Sequence, residues 1–138
     1  MTASRCRMHY RAFISYSHAD SRWARWVHRR VENYRLPSRL RGTNGEFGLL
    51  PDRFGPIFRD REDLSSAGEL GPSIQLALTN SEALIVLCSP DAARSPWVNN
   101  EILNFKRLGH ANRIFALILA GEPNTGDERE CFPPALRF

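Results

Sequence analysis

Ala83-Leu84-Ile85-Val86-Leu87-Cys88-Ser89-Pro90, followed four residues later by Ser95-Pro96-Trp97-Val98-Asn99-Asn100-Glu101-Ile102, decides the fold class. The first six residues are apolar with no polar alternate, the pattern of a strand covered on both faces and therefore of a parallel sheet between helices. The second stretch opens a helix. Ser95 is a good N-cap, and Pro96 has the fixed φ that suits the first helical position. Val98, Ile102 and Phe105 continue as a core stripe until Gly109 ends it. A buried strand feeding directly into a helix is half of a βαβ unit.

The same alternation extends outward on both sides. Tyr10 to Tyr16 is a short apolar run, and Ser17-His18-Ala19-Asp20-Ser21 supplies turn and cap residues. A helix is predicted over roughly 21–35, with Trp23, Trp26, Val27, Arg30 and Tyr34 as its largely apolar face and Leu36-Pro37 as its stop. Residues 37–56 hold three prolines and four glycines without a period and read as a long loop. Ile57-Phe58-Arg59 is a short strand candidate, followed by the charged, then small-residue, loop from Asp60 to Gly68. Leu70, Ile74, Ala77 and Leu78 restore helical spacing, with Pro72 and Ser73 near the start. Ile114 to Leu119 repeats the central-strand pattern, and the chain after Gly121 reads as irregular. Strands alternating with helices give an α/β parallel sheet with right-handed crossovers. Ligands of such sheets bind beyond the carboxyl ends of the strands, so Tyr16 to Asp20, Asp60 to Gly68 and Ser89 to Trp97 are expected on one edge.

Composition excludes several classes. With 138 residues, 42% hydrophobic and 25% charged, the chain reads as one soluble domain spanning 1–138, with a core over about 10–122 and an irregular tail over 123–138. No apolar run approaches the roughly 20 residues of a membrane span, and the first residues lack a secretory apolar region, so no membrane partner and a cytoplasmic location are expected. Cys6, Cys88 and Cys131 are too scattered for a disulfide framework or a paired-cysteine metal site, and His9, His28 and His110 lack ligand spacing. The net charge of +4 comes almost entirely from arginine, since Lys106 is the only lysine. Arg22, Arg25, Arg29 and Arg30 have the spacing of one polar helix face, which is expected to be solvated and argues against a nucleic-acid partner.

Trp97 and Glu101 lie four residues apart, so they share a helix face across the first two turns. A flat indole beside an anion suits a ligand with a planar ring and a developing positive charge. Glu101 precedes the core residue Ile102, which places it at the margin of the buried face. Taken alone, a helix glutamate of this kind is usually a solvated surface residue.

Phe13-Ile14-Ser15-Tyr16-Ser17, Ile57-Phe58-Arg59-Asp60 with Gly68, Cys88-Ser89-Pro90, and Ser95-Pro96-Trp97 through Glu101-Ile102 together resemble a bacterial Toll/interleukin-1 receptor (TIR) domain of the antiphage-defence type. The resemblance covers about residues 10–122. It implies a flavodoxin-like parallel sheet of about four strands flanked by helices, without the family's final C-terminal layer, so that an edge strand stays open. It also implies cleavage of NAD into nicotinamide and ADP-ribose or a cyclic form of it. Glu101 then falls on the catalytic carboxylate, and Trp97, Ser15, Tyr16, Asp60 and Ser95 on substrate-binding positions. Arg61, Glu62, Asp63, Leu64 and Gly68 fall on the loop through which such domains assemble. NAD enters as substrate, with no cofactor and no metal. Other TIR domains, by self-association, and a sensor domain or partner chain are the further expected partners. His18 stands where some catalytic relatives carry a permanently charged residue. Departure of neutral nicotinamide from the ribose needs no general acid, so one carboxylate suffices for this chemistry. The alternative reading is a non-catalytic TIR–TIR interaction module.

Overall fold

The computed structural model describes residues 9–45, 48–49, 54–59 and 71–137. Strands β1 (Ala12–Ser15), β4 (Ile57–Arg59), β5 (Leu84–Cys88) and β6 (Ile114–Ile118) form one sheet in the order β4-β1-β5-β6, with every neighbouring pair parallel. The expected α/β sheet of four strands is therefore present. Helix α1 (Ser21–Glu32) covers one face. Helices α2 (Pro72–Thr79) and α4 (Pro96–Arg107) cover the other, and a short α3 (Pro90–Ala93) follows β5.

Period-two alternation divides the strand side chains between two cores. Ala12, Ile14, Ile57 and Leu87 meet Ala24 and Val27 of α1. Phe13, Leu84, Val86 and Cys88 meet Ile74, Ala77 and Leu78 of α2 and Val98, Ile102 and Phe105 of α4. Each large apolar side chain buried in this way contributes about 1.5–3 kcal/mol relative to exposure. Helix α4 starts as its residues dictate: Ser95 Oγ accepts from the Val98 amide at 3.2 Å, Pro96 occupies the first turn, and Gly109 follows with φ of +87°.

Three expectations are corrected. Helix α1 stops at Glu32 rather than near residue 35, and its buried residues are Ala24 and Val27, with Val31 half-buried. Trp23, Trp26 and Tyr34, expected on the packed face, are 53%, 54% and 54% exposed. Residues 24, 27 and 31 have the same helical spacing, and the small Ala24 lets the helix settle close to the sheet. Strand β6 has the composition of a central strand but lies at the sheet edge, where Phe115, Leu117 and Ile118 are exposed. The long loop over 37–56 contains a two-residue antiparallel pair, β2 (Asn44–Gly45) with β3 (Gly48–Leu49).

The segment after Gly121 has little regular structure yet is tied down. Cys131 and Ala135 are buried in the core on the α4 side. Asn99 of α4 accepts from the Ala135 amide at 2.7 Å, and Lys106 Nζ donates to the Ala135 carbonyl. The Glu130 carboxylate accepts from the amides of Gly126 at 3.0 Å, Asn124 at 2.8 Å and Phe132 at 3.1 Å, which holds it below the usual carboxylate range. At Gly121, with φ of +82°, a Cβ would sit 2.5 Å from the Arg129 carbonyl, so only glycine fits that turn. Among the described residues no helix is long and apolar enough to cross a membrane.

Candidate active site

Ser15 ends β1 on the face covered by α4, and Glu101 lies in the second turn of that helix. Both are fully buried, and Ser15 Oγ donates to Glu101 Oε1 at 2.5 Å. This is the length of a charge-assisted O–H···O⁻ bond. The sequence places Glu101 at the margin of the buried face; the structure places it wholly inside. Helix α4 crosses β1 at the strand's carboxyl end, so the carboxylate meets the strand instead of water. Trp97, one turn earlier, is 9% exposed and packs in the core with Phe13, Val98 and Cys131. Ser95 caps the helix that carries both.

The loops after β1 and β5 converge as expected. Ser89 Oγ donates to Asp20 Oδ2 at 2.5 Å and accepts from the Ala92 amide at 3.1 Å, joining the two strand ends. Burial raises the Asp20 carboxyl above its usual value; the Ser89 hydrogen bond opposes this, and the charge of Asp91 adds to it. Cys88 is pushed up to about 12, first by burial and then by neighbouring Cys131, which leaves it an inert packing thiol. Among the described residues no group of histidine, cysteine and carboxylate side chains could hold a metal ion.

A cleft of about 340 Å³ opens at the carboxyl ends of β1 and β4 and the first turn of α1, lined by Tyr16, His18, Ser21, Arg25 and Arg59. Because strand side chains alternate, Ser15 points to the α4 side and Tyr16 to the α1 side. Glu101 and the cleft therefore flank one strand end, and only the peptide between Ser15 and Tyr16 separates their first contacts. Two guanidinium forks in one cleft suit a pyrophosphate. Tyr16 was legible in the sequence, and His18 was noted there. Arg25 is expected from the sequence on a solvated helix face, Ser21 at a helix cap and Arg59 in a strand, and the structure brings the three together in the cleft. Their signal was positional: Arg59 closes a strand at its carboxyl end, and Arg25 is one helical turn past Ser21. Asp60, Arg61, Glu62, Asp63, Leu64 and Gly68 lie outside the described residues.

A family model of the TIR domain matches residues 12–132. The chain belongs to the TIR domain family. The matched span of this TIR domain includes Ser15, Glu101 and every residue lining the cleft. A curated relative, the NAD(+) hydrolase ApTIR of Actinoplanes sp., is 38% identical over 94% of this chain, while the chain spans 18% of that protein's length. Among solved structures, the TIR domains of the activated Roq1 resistosome directly recognising the pathogen effector XopQ give a TM-score of 0.49. That pairing has 16% identity and covers 79% of this TIR domain and 55% of that chain.

Proposed function

We propose that this TIR domain hydrolyses NAD at the bond between nicotinamide and ribose, with Glu101 as the catalytic residue. The observation that carries the reading is the Ser15-to-Glu101 hydrogen bond at the carboxyl end of β1, beside an arginine-lined cleft. The name of the Actinoplanes relative supports the same substrate. As the glycosidic bond breaks, its electron pair passes to the pyridinium nitrogen and nicotinamide leaves neutral. Positive charge grows on the ribose, and the Glu101 carboxylate stabilises it. That effect is strong where water is excluded and the carboxylate is held in place by Ser15. Arg25 and Arg59 hold the pyrophosphate, while Tyr16 and His18 border the cleft. Water captures the ribose to give ADP-ribose, or the adenine does so to give a cyclic product.

Glu101 is fully buried against β1, so α4 shifts before the carboxylate meets a ribose. Self-association of TIR domains, within cytoplasmic immune signalling, supplies that shift in this reading. The test is chromatography of NAD incubated with the protein. Release of nicotinamide is expected, with KM raised more than kcat is lowered in Arg25→Ala and Arg59→Ala. Equal loss of kcat at unchanged KM in both variants would remove the arginines from substrate binding. The burial of Glu101 also favours a second reading, a non-catalytic interaction module in which the Ser15 contact is purely structural. It requires that the assembled wild type leave NAD intact.

A further inference from the structure

Helix α1 turns Ala24 and Val27 to the sheet, with Val31 and His28 half-buried beside them, and presents Arg22, Trp23, Arg25, Trp26, Arg29 and Arg30 to solvent. Helical spacing sorts that outer face into two adjacent stripes. Trp23, Trp26 and Arg30 form one, at i, i+3 and i+7. The two indoles meet edge to face, with centroids 6.1 Å apart at 80°, and Arg30 lies 5.3 Å from the Trp26 ring centre. Arg22, Arg25 and Arg29 form the other stripe, at i, i+3 and i+7. The one carboxylate of the helix, Glu32, is engaged by the Ile57 amide at 2.9 Å and by His28. Among the described residues none of Arg22, Arg25, Arg29 and Arg30 forms an ion pair. The contact between α1 and the sheet is made by Ala24 and Val27, so it does not account for two half-exposed tryptophans on a basic helix.

We infer that the outer face of α1 binds single-stranded nucleic acid, with bases stacking on Trp23 and Trp26 and phosphates held by Arg22 and Arg29. Sequence-tolerant single-strand binding combines these two elements, flat aromatic faces and a track of positive charge. Arginine, used here in place of lysine, adds a planar fork that grips phosphate through two hydrogen bonds. A duplex hides its base faces and leaves the indole stripe unused. An anionic membrane fits poorly, since a helix lying in the interface separates its charged and apolar faces. Here indoles and guanidinium groups share one face, and the opposite face is consumed by the sheet. An acidic polypeptide would satisfy the arginines alone.

The inference is tested by titrating the protein with a fluorescein-labelled short oligothymidylate, following dye anisotropy and quenching of indole emission. Trp97 is buried, so quenching reports the two exposed indoles. Saturable binding at low salt is expected. Its log affinity should fall with log salt by about 0.7 per phosphate contact, and the slope should flatten by about 1.4 in Arg22→Gln/Arg29→Gln. Trp23→Ala and Trp26→Ala should each weaken binding about tenfold or more at unchanged salt slope. Circular dichroism should match the wild type in every variant, because all four positions are solvent-facing. Absence of saturable binding, unchanged affinity in the tryptophan variants, or equal affinity for duplex DNA would each overturn the inference. So would tighter binding to polyglutamate or to phosphatidylserine vesicles. None of these readouts involves NAD turnover.

Discussion

Ser15 and Glu101 are 86 positions apart in the chain and share one hydrogen bond in the fold. Removing the hydroxyl leaves a buried carboxylate oxygen without its donor, which costs about 1–3 kcal/mol. Ser15→Ala is therefore expected to lose about that much stability in urea titration. Under the proposed function it also loses kcat with KM nearly unchanged, because Ser15 orients the carboxylate and does not hold the substrate. Asp20 carries a second expectation. Its folded-state carboxyl is raised above the unfolded value, chiefly by burial. Ionising it therefore disfavours folding, a penalty absent below the unfolded value and complete above the folded one. The stability of Asp20→Asn relative to wild type should rise with pH across that window and level off above it. A difference that falls with pH would contradict the burial of this carboxyl. At this scale the motif names Glu101 and Ser15 as candidates, and the structure brings the two together. Their contact was not legible, since only the crossing of a helix over a distant strand creates it.

Helix α4 was the most legible element because its boundaries rest on local chemistry: a hydroxyl that caps, a proline at the first turn and a glycine with positive φ. Ser95→Ala should therefore destabilise the domain by about 1 kcal/mol in urea titration. Helix α1 was less legible. Two interleaved faces share the helical period, and the larger residues, Trp23 and Trp26, are the ones left outside. Strand β6 misled for a related reason, since an apolar run reports what a strand can cover, not whether anything covers it. The two strands separate in a simple comparison. Leu87→Ala in β5, fully buried, should cost about 2–5 kcal/mol. Leu117→Ala in β6, 42% exposed, should stay within about 0.5 kcal/mol. Equal losses would place β6 under cover in solution.

At the scale of the whole molecule, one strand end organises the candidate site. The carboxyl terminus of β1 sends Ser15 to a buried glutamate on one side of the sheet and Tyr16 to an arginine-lined cleft on the other. The parallel alternation was readable as a pattern of apolar runs and caps. The cleft was not, because Arg25 and Arg59 come together only when β4 lies beside β1 and α1 packs behind them. The tail gave no periodic signal, yet Cys131 and Ala135 complete the core beneath α4. The central claim is that Glu101 breaks the nicotinamide–ribose bond. Its most direct test is chromatography of NAD incubated with rising concentrations of wild type and of Glu101→Gln, each first shown to unfold cooperatively. Nicotinamide release that climbs steeply with wild-type concentration and falls at least about 100-fold in Glu101→Gln is the expected result. Turnover by Glu101→Gln at the wild-type rate, or no release from folded wild type at any concentration, would contradict it.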